Sequence, residues 1–329
     1  MKLTNSELLS FINRIKLKRE NMSRYRSQVA NLIEKLEKKI AEDDSSGLKV
    51  TKVLRTGSWK KGTILRSSSD NPIDIDLVFY VDGDENLVKD VEGLHDAVVN
   101  YLEDIYPMKD ISKDANAEGK TKSIKIQFSG TGLEVDIVPV IPLEDLDEYV
   151  WQPERGGGGK YITSITDQLK FAKEAKDFNS SYTSVVRAIK WWRNHKELKG
   201  KSSKETLSSF TIELIVSYLD MNHGAEKNIE SGIIRFFEFL SSGNFPIIHF
   251  ENALNNPPHS AEPSFVGDPT NNDNNTIKKM TNSFWEEVRE EANYAFEALC
   301  LAQVRTGNGD TINEWKNVFG PHFNINEEN

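Results

Sequence analysis

The stretch Ile73-Asp74-Ile75-Asp76-Leu77-Val78-Phe79 decides the fold of this chain. It is rich in apolar and β-branched side chains, which favour a strand, and it carries two carboxylates two residues apart. Because side chains alternate across a strand, Asp74 and Asp76 share one face, and the isoleucines and Leu77 share the other. Carboxylates that face the same way repel each other, and burying them is costly unless a cation neutralises them. The stretch therefore predicts a strand that carries a cation site.

A second apolar run supplies a third carboxylate. Leu133-Glu134-Val135-Asp136-Ile137-Val138 has the same alternation, and Asp136 can join the first two aspartates from a neighbouring strand. Oxygen ligands without His or Cys suit Mg²⁺ or Mn²⁺ better than zinc. The simpler alternative is an Asp-x-Asp pair exposed at a sheet edge, which is common in strands without any catalytic role.

A turn that precedes the strand of Asp74 and Asp76 has the composition of a phosphate-binding loop. Thr56-Gly57-Ser58-Trp59-Lys60-Lys61-Gly62-Thr63 follows a β-like run. Backbone N–H groups at a helix start and the Ser58 hydroxyl can bind phosphate oxygens. Glycine at position 57 permits close approach of a phosphate to the backbone.

The rest of the chain divides into a mixed region followed by a helical one. Residues Thr4 and Glu7 have capping-box spacing, and a second helical stripe ends near residues 43–47. Strands are expected at Lys49–Arg55, Ile73–Val81, Lys122–Phe128 and Leu133–Val140, with a helix near 89–106 and an edge or loops over 110–121. Helices are expected near 165–178, 182–198, 205–221, 226–241, 277–303 and 310–318. The segments 152–160 and 255–275 are expected to be loops because they are rich in Gly, or in Pro and Asn.

Composition narrows the class of protein. The chain has 329 residues, a formal charge of −10 and a single cysteine, Cys300, which excludes a disulfide framework and a multi-cysteine metal site. No apolar signal-peptide stretch and no membrane-spanning run is visible, so a cytoplasmic protein without membrane contact is expected. Residues 1–61 carry a surplus of 8 positive charges and the remaining residues a deficit of 18. The basic surplus can mark a surface for nucleotides, or it can simply be solvated lysines on long helices.

The ordered set of motifs is much more specific than its parts. A Gly-Ser turn, then the Asp74 and Asp76 strand, then Asp136 on another strand resembles the DNA polymerase β-like nucleotidyltransferases. The resemblance implies an α+β fold, with a mixed sheet, a long N-terminal helix and a C-terminal helical domain. The expected domains are an N-terminal helical spine over 1–47, a catalytic core over 48–160 and a helical nucleotide-binding domain over 161–329.

The segment from Gly57 to Arg66 further resembles the oligoadenylate synthetases and the bacterial cyclic-oligonucleotide synthases, the group that includes the animal cyclic GMP-AMP synthase. The stretches 186–192 and 207–214 resemble two helices of that group. The resemblance implies the following nucleotide-binding residues: Gly57, Ser58, Lys61, Lys190, Ser209 and Phe210. Lys190 would contact the donor triphosphate, Ser209 a phosphate, and Phe210 the donor base. Without the resemblance, Lys190 can equally be an ordinary lysine whose stem lies along an apolar surface, and Phe210 can be a core side chain.

The resemblance also implies a reaction. Asp74, Asp76 and Asp136 would hold two ions of Mg²⁺ or Mn²⁺ and catalyse the joining of nucleoside triphosphates, ATP among them, into a cyclic or short linear oligonucleotide. Such products are second messengers in bacterial anti-phage signalling, which implies a regulatory protein partner and an effector that senses the product. Two alternatives stay open: an RNA or tRNA 3′-end nucleotidyltransferase, and a catalytically silent nucleotide-binding scaffold. The acidic balance outside residues 1–61 argues against long nucleic acid as a substrate.

Overall fold

The computed structural model describes residues 1–67, 72–82, 90–113, 123–154, 159–198, 206–243, 245–257 and 262–326. Within these ranges the helices are α1 (Asn5–Ile15), α2 (Arg19–Ala41), α3 (Gly57–Lys61), α4 (Val91–Ile105), α5 (Ile165–Phe178), α6 (Tyr182–His195), α7 (Ser209–His223), α8 (Ile229–Ser241), α9 (Asn282–Val304) and α10 (Asn308–Phe319). The strands are β1 (Lys49–Arg55), β2 (Ile73–Asp82), β3 (Asp110–Lys113), β4 (Ile124–Phe128), β5 (Leu133–Pro142), β6 (Val150–Glu154), β7 (Gly159–Thr163), β8 (Ile247–Ile248), β9 (Phe265–Asp268) and β10 (Asn271–Asn275).

The chain forms two compact units. The helical unit contains residues 1–16, 62–65 and 170–329, and the sheet unit contains residues 17–61 and 66–169. Helix α1 therefore belongs to the helical unit, whereas α2 belongs to the sheet unit. The division into a spine, a catalytic core and a nucleotide-binding domain stays a prediction.

A mixed sheet forms the centre of the sheet unit. Its strand order is β1-β2-β5-β4-β3, and β6 pairs with the end of β5 and with β7. Strands β2 and β5 run parallel, whereas β2 is antiparallel to β1 and β5 is antiparallel to β4 and β6. The mixed sheet and the α+β class expected from the sequence are confirmed.

The alternation of the sequence explains how this sheet is buried. In β2 the isoleucines at 73 and 75 and Leu77 are fully buried, whereas Asp74 and Asp76 between them are only partly buried. The same alternation continues in β4 and β5. Helix α2 packs against β1, and α4 packs against β3 and β4. One face of the sheet therefore belongs to the core, and the other carries the carboxylates.

The helical unit is organised around an extensive aromatic core. Helix α1 begins at the expected capping box: Thr4 accepts from the Glu7 backbone N–H, and the Glu7 carboxylate accepts from the Thr4 backbone. Its buried Phe11 packs against Phe319 and Phe323, with ring centroids 5.5 and 4.9 Å away. A small sheet of β8, β9 and β10 completes the unit. No helix among the described residues is both long enough and apolar enough to cross a bilayer.

Two loop predictions were wrong. Residues 150–154 and 159–163 form a hairpin of β6 and β7, although residues 155–158 lie outside the described ranges. Residues 265–268 and 271–275 form β9 and β10. Asn side chains hold this second region: the Asn272 amide donates to the Phe250 carbonyl at 2.9 Å, and the Asn275 amide donates to the Ser264 carbonyl at 2.9 Å. Such long-range bonds carry no local periodicity, so the strands were missed.

Candidate active site

The three predicted aspartates converge on one face of the central sheet. Asp76 and Asp136 are direct partners in the parallel register of β2 and β5, and Asp74 lies two residues before Asp76 on the same face. One carboxylate oxygen from each aspartate lies within 4.8 Å of the others. The spacing lets the three groups share one cation, as the sequence predicts. The group contains no His or Cys, which favours a hard, oxygen-seeking ion.

Burial and mutual repulsion change the protonation of this cluster. Burial, together with the charges of Asp76 and Asp136, raises the pKa of Asp74 from 3.8 to about 8, although Lys125 partly opposes the rise. The Asp74 Oδ1 atom is buried and makes no hydrogen bond to any described residue. A buried carboxylate oxygen that lacks a donor is costly. A cation at this position would relieve that cost.

Gly57 brings the backbone against the aspartates. The Thr56 N–H donates to the Asp76 carbonyl at 2.9 Å, which joins the end of β1 to β2, and α3 begins one residue later. Gly57 has a φ of +59°, and a Cβ atom there would lie 1.6 Å from Asp76 Oδ2. The close approach therefore requires glycine both for its conformation and for its lack of a side chain.

The remaining residues predicted in the Gly-Ser turn lie on the same short helix. Ser58 is the second residue of α3, and Lys61 is its last. Both side chains are half-buried. Helix α3 follows β1 directly, so these residues belong to the same unit as the aspartates.

Lys190 belongs to the helical unit and is almost fully buried. Its side chain is 4% exposed, and its Nζ donates to the Thr63 carbonyl at 3.1 Å. The Thr63 hydroxyl in turn donates to Glu213 Oε1 at 2.8 Å, and Arg187 donates to the Gly62 carbonyl. These bonds attach residues 62–65 to helices α6 and α7 of the same unit.

Ser209 and Phe210 form the start of α7, where the sequence places a helix N-terminus. The preceding Ser208 accepts from the Thr211 N–H and caps the helix. The Ser209 hydroxyl accepts from Arg193 at 3.3 Å, and burial lowers the pKa of that arginine to about 10. Phe210 is partly buried against the helical core. Its ring is therefore compatible with either the core role or the stacking role.

The sequence analysis missed three residues that flank the aspartates. On β4, Lys125 is the register partner of Asp136, and Gln127 is the partner of Glu134. The Lys125 ammonium lies 2.9 Å from Glu134 Oε2 and 3.9 Å from Asp136 Oδ1. Burial alone would lower the pKa of Lys125, but the charge of Asp136, the bond to Glu134 and the charge of Asp74 raise it. The alternation of residues 123–128 already places Lys125 and Gln127 on a polar face, which was the available signal.

The whole arrangement is suited to phosphoryl chemistry. Three carboxylates on rigid strands can bind a cation at a fixed position, and a half-buried serine with a helix start lies one residue beyond Gly57. Triphosphates reach proteins as metal complexes, and backbone N–H groups at helix starts bind phosphate oxygens. A nucleotidyltransferase needs this combination.

Comparison with known proteins supports that assignment. Residues 1–179 match the family described as the Second Messenger Oligonucleotide or Dinucleotide Synthetase domain (SMODS). The chain is 33% identical over 332 residues to the CBASS oligonucleotide cyclase CdnC of Escherichia coli (strain KTE188), with 99% of each chain covered. It is 30% identical over 320 residues to the cyclic AMP-AMP-AMP synthase of Escherichia coli (strain MS 115-1), with 94% of each covered.

Solved structures agree with the sequence relatives. The structure of CdnC from E. coli MS115-1 with ATP superposes with a TM-score of 0.79 at 26% identity, covering 98% of this chain and 99% of that one. The complex of the same CdnC with HORMA-deltaN gives a TM-score of 0.78, covering 98% of each chain. These matches confirm the resemblance inferred from the Gly-Ser turn and the three aspartates. The chain is a nucleotidyltransferase that belongs to the second messenger oligonucleotide or dinucleotide synthetase family.

Proposed function

We propose that this chain joins nucleoside triphosphates, ATP among them, into a cyclic or short linear oligonucleotide that acts as a second messenger in bacterial anti-phage signalling. The observation that carries the proposal is the convergence of Asp74, Asp76 and Asp136 on two parallel strands. The names of its relatives, an oligonucleotide cyclase and a cyclic AMP-AMP-AMP synthase, support the same reaction class.

The carboxylates are proposed to hold two ions of Mg²⁺ or Mn²⁺. The donor set contains only oxygen, and the buried Asp74 Oδ1 atom lacks a hydrogen-bond donor among the described residues. We assign Asp74 and Asp76 to both ions and Asp136 to the second. When bound, the ions would lower the pKa of the reacting hydroxyl and neutralise charge on the phosphates.

The chain's own residues then orient a displacement at phosphorus. The acceptor ribose oxygen bonds to the α-phosphorus of the donor, the bond from that phosphorus to the bridging oxygen breaks, and pyrophosphate leaves. The proton of the acceptor hydroxyl passes to an oxygen of Asp136. No separate histidine base is needed for this transfer.

Six residues are proposed to bind the nucleotide: Gly57, Ser58, Lys61, Lys190, Ser209 and Phe210. The N–H groups at the start of α3 and the Ser58 hydroxyl would bind phosphate oxygens. Lys190 would neutralise the β- and γ-phosphates; an ammonium has three N–H donors, so its bond to Thr63 leaves this role open. Ser209 would bind a phosphate, and Phe210 would stack on the donor base.

A protein partner is proposed for regulation, and an effector for sensing the product. The related CdnC has been solved with HORMA-deltaN, and this chain covers 98% of that protein's length. That similarity in fold and length supports a regulator of the same kind as the proposed partner.

A product assay tests the proposal. The protein is incubated with each labelled triphosphate, and with all four together, in Mg²⁺ or Mn²⁺, and the products are treated with phosphatase. We expect a phosphatase-resistant product that forms without added RNA and disappears in Asp76→Asn. The matched control is Asp82→Asn, which neutralises an exposed aspartate at the other end of β2 and should keep activity.

Two outcomes would contradict the proposal. Product that forms only when RNA is added would indicate an RNA 3′-end nucleotidyltransferase. Bound ATP without product, with a candidate regulatory partner present as well as absent, would indicate a nucleotide-binding scaffold.

A further inference from the structure

Three neighbouring strands carry two rows of polar side chains on the face that holds the aspartates. The first row runs from Asp76 on β2 through Asp136 on β5 to Lys125 on β4. The second row runs through the register partners Asp74, Glu134 and Gln127. These two rows contain four carboxylates and one lysine, and three of the four carboxylates form the cation cluster found among the described residues.

Glu134 is held away from that cluster by its neighbours on β4. Its Oε2 atom accepts from Lys125 at 2.9 Å, and its Oε1 atom accepts from the Gln127 amide at 3.4 Å. Both oxygens are thus engaged on the side of Glu134 that faces away from β2. Glu134 is in register with Asp74, yet it is not part of the cluster of three aspartates.

The same geometry determines where the Lys125 ammonium lies. Lys125 is directly opposite Asp136 in the antiparallel register, and the shortest path for its side chain leads to that aspartate. Its Nζ instead lies 2.9 Å from the diagonal Glu134 and 3.9 Å from Asp136, which is too long for a hydrogen bond. Both side chains of the pair are mostly buried, at 27% and 17% exposed, so bulk water screens the charges only in part.

We propose that Lys125 is the counter-ion of the metal-free aspartate cluster and competes with divalent ions for it, and that Glu134 is a positioning residue that holds the ammonium off Asp136. This proposal rests on the proposed metal-dependent function. The ammonium limits the repulsion among the aspartates when no ion is bound. Glu134 keeps it from closing the site, so that a divalent ion is accepted without a rearrangement of the strands.

The proposal predicts a different result from a model in which the charges of Lys125 and Glu134 act on the cation independently. If charges only added at fixed positions, removal of the Glu134 charge would weaken cation binding by the same factor with or without Lys125. If Glu134 restrains the ammonium, its removal lets Lys125 move onto Asp136. The weakening should then depend on Lys125.

Cation binding to the whole protein without nucleotide gives the test. The readout is the midpoint Mn²⁺ concentration of a calorimetric binding titration, with Tm measured in the absence and presence of Mn²⁺ alongside, for the wild type, Lys125→Met, Lys125→Arg, Glu134→Gln and the double variant Lys125→Met/Glu134→Gln. Asp76→Asn reports loss of the cation site itself. Lys52→Met is the matched control, because Lys52 forms a similar ion pair with Glu148 at 3.3 Å in the same unit, away from the three-strand rows.

We expect Lys125→Met to lower the metal-free Tm and to lower the Mn²⁺ midpoint on the order of tenfold, because one positive charge near the ligands is gone. Lys125→Arg should stay close to the wild type. Glu134→Gln should raise the midpoint, by a factor at least about threefold larger when Lys125 is present than in the Lys125→Met background. Lys52→Met should leave the midpoint unchanged.

Each contrary result has its own meaning. An Mn²⁺ midpoint that Lys125→Met leaves unchanged, or equal effects of Glu134→Gln in both backgrounds, would overturn the inference while the proposed function stands. A wild-type protein whose Tm does not respond to Mn²⁺ or Mg²⁺, or whose response survives Asp76→Asn, would overturn the cation site itself.

Discussion

At Gly57 the backbone comes so close to the Asp76 carboxylate that no side chain fits. The positive φ of +59° selects glycine by conformation, and the 1.6 Å from its virtual Cβ to Asp76 Oδ2 selects glycine by space. Gly62, five residues later, also has a positive φ, of +74°, but a Cβ there would meet no atom within 4 Å. Gly57 is therefore required both for its conformation and for its lack of a side chain, whereas Gly62 is required only for its conformation.

We expect Gly62→Ala to lose about 1 kcal/mol of stability, because alanine is strained at a positive φ, and Gly57→Ala to lose more, because its Cβ must also displace the Asp76 carboxylate. Only Gly57→Ala should lose product formation, by more than about 100-fold, because it displaces the carboxylate of Asp76, a proposed cation ligand. Urea unfolding and the initial rate of pyrophosphate release measure the two effects. Equal activity in the two variants would show that the close approach has no role.

Asp74 makes the stability of the metal-free protein depend on pH. Its pKa is about 8 in the folded protein against an ordinary value of 3.8. Between these pH values the folded state keeps a proton that the unfolded chain releases. The contribution of Asp74 to the free energy of unfolding is therefore complete below pH 3.8 and decreases as the pH rises to about 8. The slope is roughly 1.4 kcal/mol per pH unit for one proton.

The measurement compares chelator-treated wild type with Asp74→Asn, which cannot titrate. We expect Asp74→Asn to gain stability relative to the wild type as pH rises from 4 to 8, the interval between the two pKa values. Parallel curves of unfolding free energy over that interval would show that burial does not hold the proton on Asp74.

At the scale of elements, helices α6 and α7 hold the segment 62–65 through buried polar bonds. The Thr63 hydroxyl donates to Glu213, and the Thr63 carbonyl accepts from Lys190. Thr63 is fully buried, and Glu213 and Lys190 are each 4% exposed. Charged groups this deep in a protein remain stable only where hydrogen bonds compensate their lost hydration.

We expect Thr63→Val to lower the free energy of unfolding by about 1–3 kcal/mol, because it keeps the shape and removes a hydrogen bond to a buried carboxylate. The matched control is Thr51→Val, which removes the hydroxyl of an exposed residue that donates to the Tyr80 carbonyl at 3.3 Å and should cost less than about 1 kcal/mol. Similar losses in both variants would contradict a special role for the Thr63 bond.

The strands that carry the aspartates were predictable because their information is local. Period-2 alternation gave β2 and β5 and the shared face of Asp74 and Asp76, and the capping box gave the start of α1. The β6–β7 hairpin was missed because its glycine-rich sequence favours a loop, although the two strands pair locally. The β9–β10 pair was missed because its asparagines are held by partners distant in the sequence. Lys125 was visible on a polar face, but its relation to Glu134 depends on strand register.

At the scale of the whole molecule, the distribution of charge matters more than its sum of −10. Residues 17–61 carry 12 basic and 6 acidic side chains, a surplus of 6 that lies entirely in the sheet unit. Several of these lysines have acidic partners: Lys39 lies 2.9 Å from Asp104, and Lys38 lies 3.6 Å from Glu42. Local pairing reduces the charge that a polynucleotide would meet.

We therefore expect weak binding of long nucleic acid. A labelled single-stranded RNA of about 40 nucleotides should show no saturation of its fluorescence anisotropy below about 100 μM protein at near-physiological salt. ATP binding, followed by calorimetry in the same buffer, is the positive control. Submicromolar RNA binding with a steep salt dependence would contradict this expectation.

The register of β2 and β5 has a consequence for how this protein can change over evolution. Carboxylates and buried apolar side chains alternate along the same two strands, so the register of each strand determines the positions of both. A single-codon insertion or deletion within either strand would exchange carboxylates for hydrocarbons on every following position of that face. An insertion or deletion in these strands is therefore expected to abolish activity in one step. Tolerated changes there are substitutions, whereas changes in length are confined to the loops and helices.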